Sequence, residues 1–106
     1  MTMFKVFRTE TFEDEFHKLP KTEQQEIKKF EKHLSENPFV GKPLGMPFFR
    51  EKKFKGRRVY YLIYEDVIVV LMVALSDKKT QQATIDAIKE NLAVYSEQIT
   101  KTLKKT

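Results

Sequence analysis

The stretch "REKKFKGRRVYYLIYEDVIVVLMVAL", Arg50 to Leu75, decides how this chain folds. Gly56 breaks it once, and Glu65-Asp66 breaks it again as a tight turn. Three strands result: Phe48 to Phe54, Arg58 to Tyr64, and Val67 to Leu75. In a strand the side chains alternate between faces. Arg50, Lys52 and Phe54 therefore share one face of the first strand, and Glu51 and Lys53 share the other. On the second strand Arg58, Tyr60, Leu62 and Tyr64 lie together, opposite Arg57, Val59, Tyr61 and Ile63. The third strand is apolar on both faces, which predicts a central place in a sheet. Short turns between consecutive strands make them antiparallel.

Working outward, residues 3–9, "MFKVFRT", alternate as a strand. Thr11 is the expected N-cap of a short helix, with acids in the first turn. Phe12, Phe16 and Leu19 form its apolar stripe, and Pro20 ends it. Thr22 and Gln25 have the spacing of a capping box for a second helix. Ile27, Phe30 and Leu34 continue its apolar face to the stop at Asn37-Pro38. "PFVGKPLGMP", Pro38 to Pro47, is a connecting loop. After the strands, Ser76 or Thr80 caps a last long helix whose stripe is Ile85, Ile88, Leu92, Tyr95, Ile99 and Leu103. The element order is β-α-α-β-β-β-α. It predicts an α+β domain over residues 1–106: a small, mostly antiparallel sheet, a helical hairpin on one face, and a C-terminal helix with a basic tail over residues 77–106. Helices collected on one side of the sheet are expected, and the first strand is free to return parallel to a neighbour.

The chain has 106 residues and 41% hydrophobic residues, enough for one core without staples. With no cysteine there is neither a disulfide framework nor a thiolate metal site. The longest apolar run, Val67 to Leu75, is too short to cross a bilayer as a helix. No membrane association and a cytoplasmic location are expected. Charge is the more informative property. Residues 1–40 hold seven Lys/Arg and eight Asp/Glu; residues 41–64 hold seven and one; residues 65–106 hold six of each. The whole excess of +5 thus comes from the middle segment. Concentrated positive charge of this kind points to a polyanion, most often nucleic acid. The competing explanation is a solvated hairpin tip whose lysines discourage edge pairing.

At this point the sequence resembles a family. The element order, "GKPL" at Gly41–Leu44, "GMP" at Gly45–Pro47 and "YYLIYEDVIVVLMVALSDKK" at Tyr60–Lys79 look like the RelE/ParE toxins of type II toxin–antitoxin systems. The similarity runs over roughly residues 4–90. Its most specific parts are the Y-x-L-I-Y strand, the apolar strand after it, and the basic step at Lys78-Lys79.

The resemblance implies a RelE-like endoribonuclease that enters the ribosomal decoding site and cuts messenger RNA without metal or cofactor. The 2′-hydroxyl attacks the adjacent phosphate and the 5′-oxygen leaves. It also implies an antitoxin whose helix and strand wrap the toxin. ParE-like members share the fold but inhibit DNA gyrase. A non-catalytic nucleic-acid- or protein-binding member of the same fold is the further alternative.

Such chemistry needs a base for the 2′-OH, cations at the phosphorane and an acid for the leaving oxygen. His17 and His33 both fall on the helical hairpin, away from the basic segment, which makes a histidine-poor site; the resemblance implies chemistry that leans on Lys, Arg and Tyr instead. Matching at "GMP" maps the family's basic strand residues near Glu51 and Lys53. It maps a strand arginine to Tyr61, where the arginine is missing; Arg58 or Arg57 reaches the same space from three or four residues earlier. The basic residue after the central strand maps to Lys78 or Lys79. A C-terminal tyrosine maps near Thr84, which can neither stack nor act as an acid. The expected catalytic set is Lys53, Arg58, Tyr61 and Lys78. Lys53 or Lys52 lowers the barrier at phosphate, Arg58 clamps it, and Tyr61 stacks on a base or moves a proton. Arg50, Lys52, Lys55, Arg57 and Lys79 are the expected RNA contacts. The expected partners are a cognate antitoxin, messenger RNA and the ribosome. The stripe on the C-terminal helix packs on the sheet or makes a homodimer or antitoxin contact.

Overall fold

A computed structural model describes residues 3–105. The chain runs β1 (Lys5–Arg8), α1 (Glu10–His17), α2 (Lys21–Glu36), a 3₁₀ turn (Pro38–Val40), β2 (Lys42–Pro43), β3 (Phe49–Phe54), β4 (Arg57–Tyr64), β5 (Val69–Asp77), α3 (Gln81–Glu90) and α4 (Leu92–Lys104). One five-stranded sheet has the order β1-β5-β4-β3-β2. Among the described residues only β1, which pairs with β5, is parallel; the other neighbours are antiparallel. The α+β class, the mostly antiparallel sheet and the central place of the apolar strand are as the sequence predicts.

The alternation along β3 and β4 sorts the core into two layers. Val59, Tyr61 and Ile63 pack with Phe12, Phe16, Ile27, Phe30 and Leu34 of α1 and α2. Tyr60, Leu62 and Tyr64 pack on the opposite face with Ile85, Ile88 and Ile99 of α3 and α4. Helices thus cover both faces, not one side as the element order suggested. β5, apolar on both faces, sits inside the sheet between β1 and β4 because each face meets its own helical layer. Leu92, Tyr95 and Leu103 join the second layer. The predicted C-terminal stripe is therefore occupied within the chain by the sheet.

Four boundaries differ from expectation for identifiable reasons. The α1 cap is Thr9, not Thr11: its Oγ1 accepts the Phe12 N–H at 3.1 Å and donates to the Val73 carbonyl at 3.2 Å. One buried hydroxyl thereby closes the helix end and ties it to β5. The Thr22–Gln25 capping box does not form; α2 begins at Lys21 behind Pro20, with no side-chain cap. β5 begins at Val69 because Ile68 takes a left-handed backbone (φ 57°). That leaves Val67 and Ile68 exposed at the turn. Asn91 splits the last helix into α3 and α4; its N–H bonds the Ile88 carbonyl at 3.0 Å and its Nδ2 the Ala87 carbonyl at 2.7 Å. Among the described residues, no helix is long and apolar enough to cross a membrane.

Candidate nucleic-acid interface

Register brings part of the basic segment together and separates the rest. At the end of the sheet where β3 finishes, β4 starts and β5 finishes, Lys53 lies opposite Arg58, and Arg58 opposite Ser76. This row is on the face of α3 and α4. One step inward, Glu51 lies opposite Tyr60. Lys78 and Lys79 follow immediately in the exposed turn to α3. That turn is fixed by Asp77, whose Oδ1 accepts the Thr80 N–H at 2.9 Å and the Thr80 hydroxyl at 3.0 Å. These bonds hold the Asp77 carboxyl below its ordinary value.

The inner side of this cluster is buried and polar. Arg58 is 6% exposed and Glu51 7% exposed. The Glu51 carboxylate accepts the Gln81 side-chain amide at 2.8 Å. The Tyr60 and Ser76 hydroxyls bond each other at 2.8 Å. Burial is the main cause raising the Tyr60 phenol above its ordinary value, and the nearby Glu51 carboxylate adds to it. The Arg58 Nε is buried with no hydrogen-bond partner among the described residues. A buried guanidinium N–H without an acceptor is costly. Lys78 and Lys79, in the turn that follows the β5 partner of Arg58, are exposed.

The remaining predicted residues lie elsewhere. Arg50, Lys52 and Arg57 are on the opposite face, toward α2. Arg50 is spent on the loop: its Nε donates to the Pro47 carbonyl at 2.8 Å, and its Nη1 to the Phe39 and Gly41 carbonyls at 3.0 and 2.9 Å. The Arg57 Nε pairs with Glu23 of α2 at 2.8 Å. The Lys52 ammonium sits over the Phe30 and Phe54 rings at 5.8 and 6.0 Å. Lys55 occupies the two-residue turn between β3 and β4 with φ 47°. The six cations of Arg50 to Arg58 do not form one patch, because neighbours in a strand point to opposite faces.

Tyr61 requires a correction. It is fully buried in the α1/α2 layer. Its hydroxyl donates to the Pro38 carbonyl at 2.8 Å and accepts the Gly41 N–H at 2.9 Å. Burial pushes this phenol up to about 12. With no ring face or proton at the surface, it anchors the loop and cannot stack on a base. Thr84 lines a cleft between α1 and the C-terminal helices together with Glu10, Glu15 and Ala74. Gln81, Ser76 and the Tyr60 hydroxyl also belong to the site and are not among the residues the sequence predicts for it. Alternation already placed Tyr60 beside Arg58, but the α3 residues that meet this face had no local signal.

No family model matches the chain, and no curated protein matches it in sequence. Solved structures do match. A RelE toxin variant from E. coli in the free state aligns at TM-score 0.71 and 23% identity, over 85% of this chain and 98% of that one. The RelBE2 toxin–antitoxin complex of Mycobacterium tuberculosis aligns at TM-score 0.64 and 26% identity, over 74% and 94%. The archaeal RelE–RelB complex from Pyrococcus horikoshii aligns at TM-score 0.64 and 19% identity, over 74% and 97%. The chain has the RelE toxin fold. Within that RelE fold, the polar cluster occupies the sheet face that α3 and α4 flank.

Proposed function

We propose that this chain is the toxin of a toxin–antitoxin pair and cleaves messenger RNA at the ribosome. The observation that carries the reading is the row Lys53–Arg58–Ser76 beside Lys78 and Lys79, with the buried Arg58 Nε lacking an acceptor. An RNA phosphate supplies that acceptor. Arg58 clamps its non-bridging oxygens, and Lys53 shares the charge that builds up in the phosphorane. A solvent water takes the 2′-hydroxyl proton as the 2′-oxygen attacks phosphorus and the bond to the 5′-oxygen breaks; the Lys78 or Lys79 ammonium protonates the leaving oxygen and regains a proton from solvent. A 2′,3′-cyclic phosphate and a 5′-hydroxyl result. Tyr60 and Tyr61 are buried and both histidines lie on the helical hairpin, so in this reading the cations carry the rate enhancement. Two of the similar structures are toxin–antitoxin complexes, RelBE2 and the archaeal RelE–RelB, which supports an antitoxin for this chain as well.

A second reading, inhibition of DNA gyrase without cleavage, is favoured by two positions. Tyr61 is buried where the family resemblance places a strand arginine, and Thr84 stands where it places a tyrosine. Induced expression in growing cells separates the two. Cleavage predicts arrested translation with messages cut at ribosomes, and loss of both effects in Arg58→Ala. Translation that continues while DNA supercoiling fails overturns it in favour of gyrase.

A further inference from the structure

Arg58 has a carboxylate, Glu51, and a hydroxyl, Ser76, as sheet neighbours. Glu51 is its diagonal neighbour across the β3–β4 pair: Glu51 lies opposite Tyr60, two residues from Arg58 on the same face. Diagonal positions are within reach of long side chains. Yet Glu51 bonds Gln81 at 2.8 Å, and Ser76, the β5 neighbour of Arg58, bonds Tyr60 at 2.8 Å. Among the described residues no carboxylate forms an ion pair with Arg58. A buried cation beside a buried carboxylate would ordinarily pair with it. We infer that Gln81 is a positioning residue: its amide holds the Glu51 carboxylate away from Arg58 and so keeps the guanidinium free to bind a phosphate.

This inference rests on the nucleic-acid reading of the site and adds to it a residue that touches no substrate. It also gives α3 a role: its first residue carries the amide, so the helix start and the anion site are one unit. Losing the amide frees Glu51 to swing onto Arg58 and neutralise it from within. Losing the Glu51 charge as well removes that competitor.

The test is the salt dependence of binding to a fluorescein-labelled single-stranded RNA. Gln81→Leu should weaken binding several-fold and lower the log–log salt slope by about 0.7, one phosphate contact on a single strand. Gln81→Leu combined with Glu51→Gln should restore the slope, because a neutral amide at position 51 cannot satisfy the guanidinium charge. Should Gln81→Leu fold poorly, Gln81→Met, with a side chain of similar length, makes the same comparison. An unchanged slope in the single variant, or a loss that the second substitution does not restore, overturns the inference. Arg58→Ala measured alongside tests the foundation separately: if its slope equals that of the unaltered protein, the phosphate reading fails and the inference with it.

Discussion

Tyr61 and Gly41 are fitted to each other with no room for a side chain between them. A Cβ on Gly41 would lie 2.5 Å from the Tyr61 hydroxyl oxygen and 2.9 Å from the Glu51 carbonyl oxygen. The phenol in turn accepts the Gly41 N–H. Gly41→Ala must therefore push Tyr61 out of the core or move β3. Tyr61→Phe keeps the ring but strands the Gly41 N–H and the Pro38 carbonyl, at a cost of about 1–3 kcal/mol. Urea unfolding should show both variants destabilised, Gly41→Ala more than Tyr61→Phe. A Gly41→Ala protein as stable as the parent would contradict this packing.

Alkaline stability follows from the same phenol. Burial raises both Tyr61 and Tyr64 to about 12, from an ordinary 10. A raised folded-state value means the neutral form is favoured by folding. The associated stability is complete below about pH 10 and is lost as pH rises toward 12. Tyrosinate absorbance should rise in step with loss of the far-ultraviolet helix signal. Tyr61→Phe should reduce the part of that loss that phenol ionisation causes.

The acid side is governed by Arg8. Its guanidinium bonds Glu31 at 2.6 and 2.8 Å and Glu13 at 2.9 Å, and lies 3.9 Å over the Phe16 ring. The Arg8 hydrogen bond is the main cause holding Glu13 below its ordinary 4.5. A lowered folded-state value gives stability that is present above the ordinary value and lost as pH falls through the folded one. Urea midpoints followed from neutral pH into the acid range should therefore decline. Arg8→Met should be less stable at neutral pH and show a shallower acid decline. Parallel declines in the two proteins would refute the assignment.

The two faces of the basic hairpin should behave differently toward RNA. Lys53→Ala and Lys78→Ala remove cations beside Arg58, and each should lower the salt slope by about 0.7 on single-stranded RNA. Lys52→Ala and Arg57→Ala remove cations on the α2 side, where Arg57 already has Glu23. Their slopes should stay near the parent value. Equal losses from all four would mean that RNA wraps the hairpin on both sides.

Ile88 is nearly fully buried in the layer that α3 and α4 make with the sheet. Ile88→Ala should cost about 2–5 kcal/mol through lost burial and the cavity left behind. A near-neutral effect in urea unfolding would mean that the C-terminal helices contribute little to stability.

Much of the architecture was legible because it rests on short-range geometry. Alternation at Arg57 to Tyr64 named both faces of β4 correctly, and the apolar run ending at Leu75 named the central strand. The stripe from Ile85 to Leu103 was read residue by residue, although the break at Asn91 was not. Thr9 and Thr11 are equally good caps by residue type; Thr9 closes α1 onto Phe12 and also bonds Val73, a residue far along the chain.

By itself, the sequence determined the strands, their faces, the helical stripes and the placement of charge, since each follows from the period of a backbone and the chemistry of a neighbour. Tertiary structure alone decided which cations remain available. Arg50 is bound to loop carbonyls and Arg57 to Glu23, while the buried Arg58 Nε has no hydrogen-bond partner among the described residues. These outcomes depend on partners distant in sequence that only packing brings within hydrogen-bond distance, where directional bonds decide what a charge can still do.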